Sequence, residues 1–308
     1  MKKILLIKID GKLLNLALEK LKKYYLDQEY EVYEDYKTAP QVDKIFVSCI
    51  FTENRDQCKY WEDKAIIGGS GWDFDQDENG RLIQVHNTKL PDEIENIKPR
   101  INWGFTTRGC IRNCEFCVVP RKEGIIRPIG DIYDIWDGKN DTITIMDNNI
   151  LALKKHFFKI TDQILKENLK VDFNQGLDIR LLTEDIAQRL GEIRGIDYRF
   201  AFDSLDVKEA VLKGIPLLQK NGINAAFWYV YCNEDFDSAM ERLLILKKFK
   251  QRPYLMRDKR VRDIKKFTLL SGWVNSMVYI HTMTFEDYIK RKETKRLEEL
   301  QENTSLLF

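Results

Sequence analysis

Three cysteines, Cys110, Cys114 and Cys117, stand at C-x₃-C-x₂-C spacing inside the stretch GFTTRGCIRNCEFCVVPRKEG that runs from Gly104 to Gly124. Three thiolates on one short loop are soft ligands, suited to zinc or to iron and sulfide. They are one fewer than the four that normally close an iron–sulfur cluster, so a cubane held here keeps one iron open to bind and reduce another molecule. Zinc commonly takes a Cys-x-x-Cys pair, as Cys114 and Cys117 provide, together with a fourth ligand such as histidine. None of His86, His156 and His281 is adjacent, so a zinc site needs a ligand from far along the chain.

The elements around this loop follow from the spacing of apolar residues. Ile4 to Ile9 reads as a strand closed by Asp10-Gly11, and Leu13 to Tyr25 reads as a helix, with Leu14, Ala17, Leu18 and Leu21 at helical spacing. Val42 to Ser48 and Ala65 to Ile67 read as further strands, the second running into Gly68-Gly69-Ser70-Gly71. Together they predict a small α/β layer. Trp72 to Pro99 loses the pattern and reads as a linker with irregular structure.

Beyond it, candidate strands at Ile101 to Thr106, Thr142 to Asp147, Val171 to Asn174, Tyr198 to Phe202, Ala225 to Tyr231 and Tyr254 to Met256 are separated by helical patterns. Those patterns cover Leu151 to Asn168, Glu184 to Ile193, Val207 to Lys220 and Phe236 to Lys250. About six strand–helix units in series predict parallel strands with right-handed crossovers, a sheet that carries its chemistry at the carboxyl ends of its strands. The cysteine loop follows the first of these strands.

Polar side chains gather at the other strand ends: Asp147-Asn148-Asn149, then Gln175, Asp178 and Arg180 around Gly176, then Asp203, with Tyr229 and Tyr231 on the fifth strand. Each has a plainer reading. Asp and Asn before Ile150 suit a helix N-cap, Asp178 and Arg180 suit a capped turn with a surface ion pair, and strand aromatics pack cores.

With 44% hydrophobic residues among 308, the chain can fill a substantial core, and its 50 basic against 49 acidic residues create no global field toward nucleic acid or membrane. A local exception is Lys247 to Lys266, with ten Lys or Arg against Asp258 and Asp263. This stretch suits nucleic-acid phosphates or a solvated face equally. No apolar run approaches the roughly 18 to 20 residues that span a bilayer. MKKILLIKID is broken by Lys8 and Asp10 and reads as a strand, not a leader. Six unevenly spaced cysteines do not form a disulfide framework, which fits a reducing cytoplasm. Phe285 to Leu300 reads as a charged helix, with a frayed tail from Gln301 to Phe308.

C-x₃-C-x₂-C with Phe116 before the last cysteine resembles the signature of the radical S-adenosylmethionine (SAM) superfamily. Thr107-Arg108-Gly109, Val118-Val119-Pro120 and Glu123-Gly124 are similar to the branch containing methylthiotransferases and cobalamin-binding members. The resemblance covers about Asn102 to Met256 well and the N-terminal third loosely. It implies a partial (β/α)₆ barrel preceded by a small α/β region, a degenerate version of a cobalamin-binding domain, with domains at 1–98, 99–256 and 257–308. It implies that Cys110, Cys114 and Cys117 hold a 4Fe-4S cluster whose open iron is chelated by SAM, with Phe116 near the adenine. It also implies that Asp147, Asn148, Asn149, Gln175, Arg180, Asp203 and Tyr229 face SAM or substrate. A flavodoxin- or ferredoxin-type electron donor follows as a partner.

Cobalamin is a further cofactor of that branch, and Gly68-Gly69-Ser70-Gly71 lies where a glycine loop could meet it or simply form a tight turn, but Asp-x-His-x-x-Gly does not occur here. Methylthiolation needs a second cluster on three N-terminal cysteines, where this chain has only Cys49 and Cys58. Those two and Cys232 read as free, apolar-like thiols. The expected activity is therefore reductive cleavage of SAM and radical chemistry on an unidentified substrate.

Overall fold

A computed structural model describes residues 1–12 and 14–305, and of residues 296–305 the backbone alone. The end of the expected frayed tail, residues 306–308, lies outside the described residues. The chain forms two compact units, Met1–Asp172 and Phe173–Phe308. The sequence suggested boundaries near residues 98 and 256.

In the first unit, β1 (Lys3–Lys8), α1 (Leu16–Leu26), β2 (Glu31–Tyr33), β3 (Lys44–Ser48) and β4 (Ile66–Gly68) form a parallel sheet in the order β2-β1-β3-β4. The alternation along β1 explains why both faces are covered. Ile4 and Leu6 pack with Leu18, Leu21, Tyr25 and Phe46 on one side, and Leu5 and Ile7 with Val47, Cys49, Cys58 and Ile67 on the other. Asn15 caps α1, its Oδ1 accepting the Leu18 N–H at 3.2 Å.

The stretch expected as an irregular linker is ordered. It contains α2 (Ser70–Asp73), an antiparallel hairpin of β5 (Phe74–Gln76) and β6 (Leu82–Gln84), and α3 (Asp92–Glu95). Its acidic run is the hairpin turn: Asp77 Oδ1 accepts the N–H groups of Asn79 and Arg81, and Gly80 takes φ 75°. Phe74, Leu82 and Ile94 supply buried apolar contacts that periodicity over so short a segment does not reveal.

β7 (Trp103–Gly104), β8 (Thr107–Arg108), α4 (Val119–Glu123), β9 (Arg127–Pro128), β10 (Thr142–Ile145), α5 (Lys154–Lys166) and β11 (Lys170–Leu177) follow. β7 pairs parallel with β10. The strand expected from Ile101 to Thr106 is cut to two residues. Arg100 and Asn102 take positive φ before it, and beyond it the N–H groups of Thr106 and Thr107 bind a carboxylate instead of a neighbouring strand.

The second unit continues the alternation with α6 (Glu184–Glu192), β12 (Arg194–Ala201), α7 (Lys208–Lys220), β13 (Phe227–Cys232), α8 (Phe236–Lys248) and β14 (Arg252–Arg257). β12, β13 and β14 are parallel neighbours, as expected for an α/β chain. α9 (Lys265–Asn275), α10 (Tyr279–Thr282) and α11 (Phe285–Ser305) complete it. α9 is bound to β14 through Asn275, which accepts the Leu255 N–H at 2.7 Å and donates to the Leu255 carbonyl at 3.2 Å.

At least half of the basic stretch is spent inside this unit. Lys247 donates to the Met283 carbonyl, Arg252 pairs with Asp197, Arg257 donates to Thr268, Arg260 pairs with Asp258 and Glu234, and Lys266 lies over the Phe236 ring.

Candidate functional site

The cysteine loop is an excursion zipped at its base. β8 and β9 pair antiparallel, Thr107 opposite Pro128 and Arg108 opposite Arg127. Just inside, the Cys110 N–H donates to the Gly124 carbonyl at 3.1 Å. Gly109 has φ 86°, and a Cβ there would lie 2.5 Å from the Gly124 carbonyl oxygen, so only glycine fits. Glu123 clamps the neck: one oxygen pairs with the Arg108 guanidinium at 2.8 Å, and the other accepts the Gly109 N–H at 2.9 Å and the Asn148 amide at 2.8 Å. Arg108 also covers the Phe105 ring at 3.6 Å. The sequence left Glu123 as a flanking residue because nothing in its spacing marks it as a hub.

Cys110, Cys114 and Cys117 are half-buried and in no disulfide. The Cys117 N–H donates to the Cys114 carbonyl at 3.1 Å in a turn that also carries the half-buried Phe116. Burial pushes the Cys117 thiol up to about 11, the nearby Cys114 and Cys110 add to this, and the Val119 N–H opposes it. A metal must therefore displace a proton to bind it. Cys110 Sγ accepts from the Arg112 N–H at 3.3 Å and from the Asn149 amide at 3.6 Å.

Among the described residues no three of His, Cys, Asp or Glu are grouped so that they could hold one metal ion. A multi-iron cluster makes no such demand, because each thiolate binds an iron of its own. Three soft thiols with no competing disulfide, on a loop whose neck is closed by strand pairing and hydrogen bonds, fit that group.

Asp147, at the end of β10, is 3% exposed and its carboxylate is fully occupied. It accepts the Thr106 N–H at 2.6 Å, the Thr107 N–H at 2.8 Å and the Thr106 hydroxyl. Burial outweighs these bonds and pushes its carboxyl up to about 6. His156 Nε2 lies 3.1 Å from Thr106 Oγ1 and extends the chain of polar groups. Asp147 thus fixes the approach to the loop, Asn148 reaches its clamp and Asn149 reaches a thiol.

The loop's return arm is braced against the N-terminal layer of the same unit. Lys122 pairs at 2.8 Å with Asp73, a buried carboxylate that also accepts the Thr88 N–H and hydroxyl, and Arg121 donates to the Leu82 carbonyl. A cavity of about 640 Å³ has Gly68, Gly69, Arg121 and Arg127 in its lining. The glycine run suggested as a cofactor loop is used for packing: a Cβ at Gly69 would lie 2.2 Å from the Cys49 carbonyl oxygen, and one at Gly71 2.5 Å from the Phe51 backbone. Cys49 and Cys58 are buried in the core beside it.

The structure brings Cys110, Cys114, Cys117, Phe116, Asp147, Asn148 and Asn149 together in the first unit. Gln175, Arg180, Asp203 and Tyr229 belong to the second. Gln175 is exposed on β11 beside Gly176, whose φ is 110°. Arg180 is held by Asp178 through Nε at 2.7 Å while Asp178 also caps the following turn, so the plainer reading of that pair describes what is seen. Asp203 accepts the Tyr231 N–H at 2.9 Å, and burial raises its carboxyl above the usual range. Tyr229 packs among Phe227 and Tyr254.

Behind these strand ends lies a group the sequence did not reveal. Buried Arg242 donates to the carbonyls of Phe202 at 2.7 Å and Tyr231 at 2.9 Å. Its place in a charged helix gives no sign of burial.

No protein-family model matches this chain, and no curated protein matches it. Among solved structures it is similar to the radical S-adenosylmethionine methyltransferase TsrM from Kitasatospora setae, determined with cobalamin and a [4Fe-4S] cluster bound. The TM-score is 0.60 at 11% identity, over 83% of this chain and 72% of that one. The likeness is one of fold.

Proposed function

We propose that the chain is a radical SAM enzyme in which Cys110, Cys114 and Cys117 bind a 4Fe-4S cluster and leave one iron for the amino and carboxylate groups of SAM. The observation that carries this reading is the three-thiol loop itself, closed at its neck by β8, β9 and Glu123 in a chain with the fold of a radical SAM methyltransferase. When bound, the cluster and SAM together supply one-electron cleavage of the sulfonium to methionine and a 5′-deoxyadenosyl radical.

The chain's own residues hold that chemistry in place. Glu123 and Asp147 fix the two ends of the loop's neck, Asn149 addresses the Cys110 sulfur, and Phe116 stands in the turn between Cys114 and Cys117. Asn148, Gln175, Arg180, Asp203 and Tyr229 are the proposed contacts to SAM or substrate, and the partial (β/α)₆ barrel is part of the same proposal. A flavodoxin- or ferredoxin-type donor in a reducing cytoplasm would supply the electron.

Cobalamin-dependent methyl transfer is the weaker reading, since Gly69 and Gly71 serve backbone packing. A nucleic-acid substrate also has less support, with at least half the cations of residues 247–266 engaged internally.

The test is anaerobic incubation of reconstituted protein with dithionite and SAM. Release of 5′-deoxyadenosine by wild type and not by Cys114→Ala is expected. A wild-type protein without an iron–sulfur chromophore overturns the proposal.

A further inference from the structure

Asn149 occupies the N-cap position of the short turn Ile150–Ala152, yet its side chain makes no capping bond there. Asparagine at that position ordinarily accepts a backbone N–H of the first turn. Here the side chain is 3% exposed and its amide reaches back to Cys110 Sγ at 3.6 Å, across 39 residues of sequence. Two residues earlier, Asp147 is fixed by Thr106 and Thr107, whose strand leads directly to Cys110. The donor and the sulfur are therefore carried by the same short hydrogen-bonded assembly.

From this geometry we infer that Asn149 is a positioning residue that sets the reduction potential of the cluster by donating its amide N–H to the Cys110 sulfur. The inference rests on the proposed cluster at that thiol. An N–H aimed at a ligand sulfur stabilises the electron-rich reduced state more than the oxidised one, and so raises the potential. The Arg112 N–H, at 3.3 Å from the same sulfur, acts in the same direction but belongs to the backbone and is present with any side chain. Asn149 is the part of this polarity that the sequence can vary. Its consequence is that a donor of less negative potential can load the wild-type cluster.

The test is a redox titration of the reconstituted full-length protein, followed by electron paramagnetic resonance, for wild type, Asn149→Leu and Asn149→Gln. Leucine keeps the branched shape and loses the donor; glutamine keeps an amide. At the wild-type midpoint potential, the ratio of reduced to oxidised cluster should fall about tenfold in Asn149→Leu, which for a one-electron couple is about 59 mV toward the negative. Asn149→Gln should lie between the two.

If Asn149→Leu loses its cluster, Asn149→Ala supplies the same reading with a smaller side chain. A wild-type potential in the leucine or alanine variant, or an equal shift in the leucine and glutamine variants, overturns the inference and leaves the radical SAM reading standing. A wild-type protein that assembles no cluster overturns both.

Discussion

The carboxylate of Asp147 takes hold of Thr106 twice, through the backbone N–H at 2.6 Å and through the hydroxyl, and so fixes the residue from which the cysteine loop departs. This buried contact joins the end of β10 to the loop's neck. Replacing Asp147 with asparagine preserves shape but turns one acceptor into a donor facing other donors. Chemical denaturation should show a loss of about 2 to 4 kcal/mol, and the variant should retain less iron. Wild-type stability would mean that Asp147 is not the anchor.

The same carboxyl makes stability depend on pH with a definite sign. Its folded value of about 6 lies above the unfolded value of roughly 3.9. The folded state therefore binds the proton more tightly, and this contribution is fully present below about pH 4 and lost as pH rises through about 6. Over that window wild type should lose on the order of 3 kcal/mol more than Asp147→Asn. Parallel stability profiles would refute the assignment.

Glu123→Gln removes the charge that holds Arg108 and weakens the bonds to Gly109 and Asn148. Because the clamp is partly solvated, the global cost should be modest, about 1 kcal/mol. The loop should suffer more than the fold: iron per chain after gel filtration should drop while the thermal midpoint moves little. A large midpoint shift with full iron retention would point to a role in the core.

Lys122→Met deprives buried Asp73 of its cation while leaving the Thr88 bonds. A destabilisation of about 1 to 3 kcal/mol is expected, and adding Asp73→Asn should restore part of it. Strict additivity in that double-mutant cycle would show that the brace between α4 and the N-terminal layer carries no coupling energy.

Much of the fold was legible because period-two and period-3.6 patterns survive where an element buries one face: β1, α1 and the helices from α5 to α8 begin and end within a few residues of their expected limits. The misses have local causes. The strand before the loop is short because Asp147 captures the N–H groups of Thr106 and Thr107, a contact 40 residues long in sequence that no pattern announces. The linker is ordered because single apolar residues, Phe74, Leu82 and Ile94, are each buried. In the site, the cysteines were readable from spacing alone, whereas Glu123, His156 and Arg242 matter through partners that only the folded chain assembles. Asn149 was readable as a strand-end polar residue, but its partner, the Cys110 sulfur, was not.

A cluster with one open iron on Cys110, Cys114 and Cys117 can be seen by Mössbauer spectroscopy of protein reconstituted with ⁵⁷Fe, recorded without and with SAM. Iron–sulfur signals are expected in which a single iron changes its parameters when SAM is added and the others do not. Spectra that SAM leaves unaltered, or protein that takes up no iron and sulfide, would contradict it.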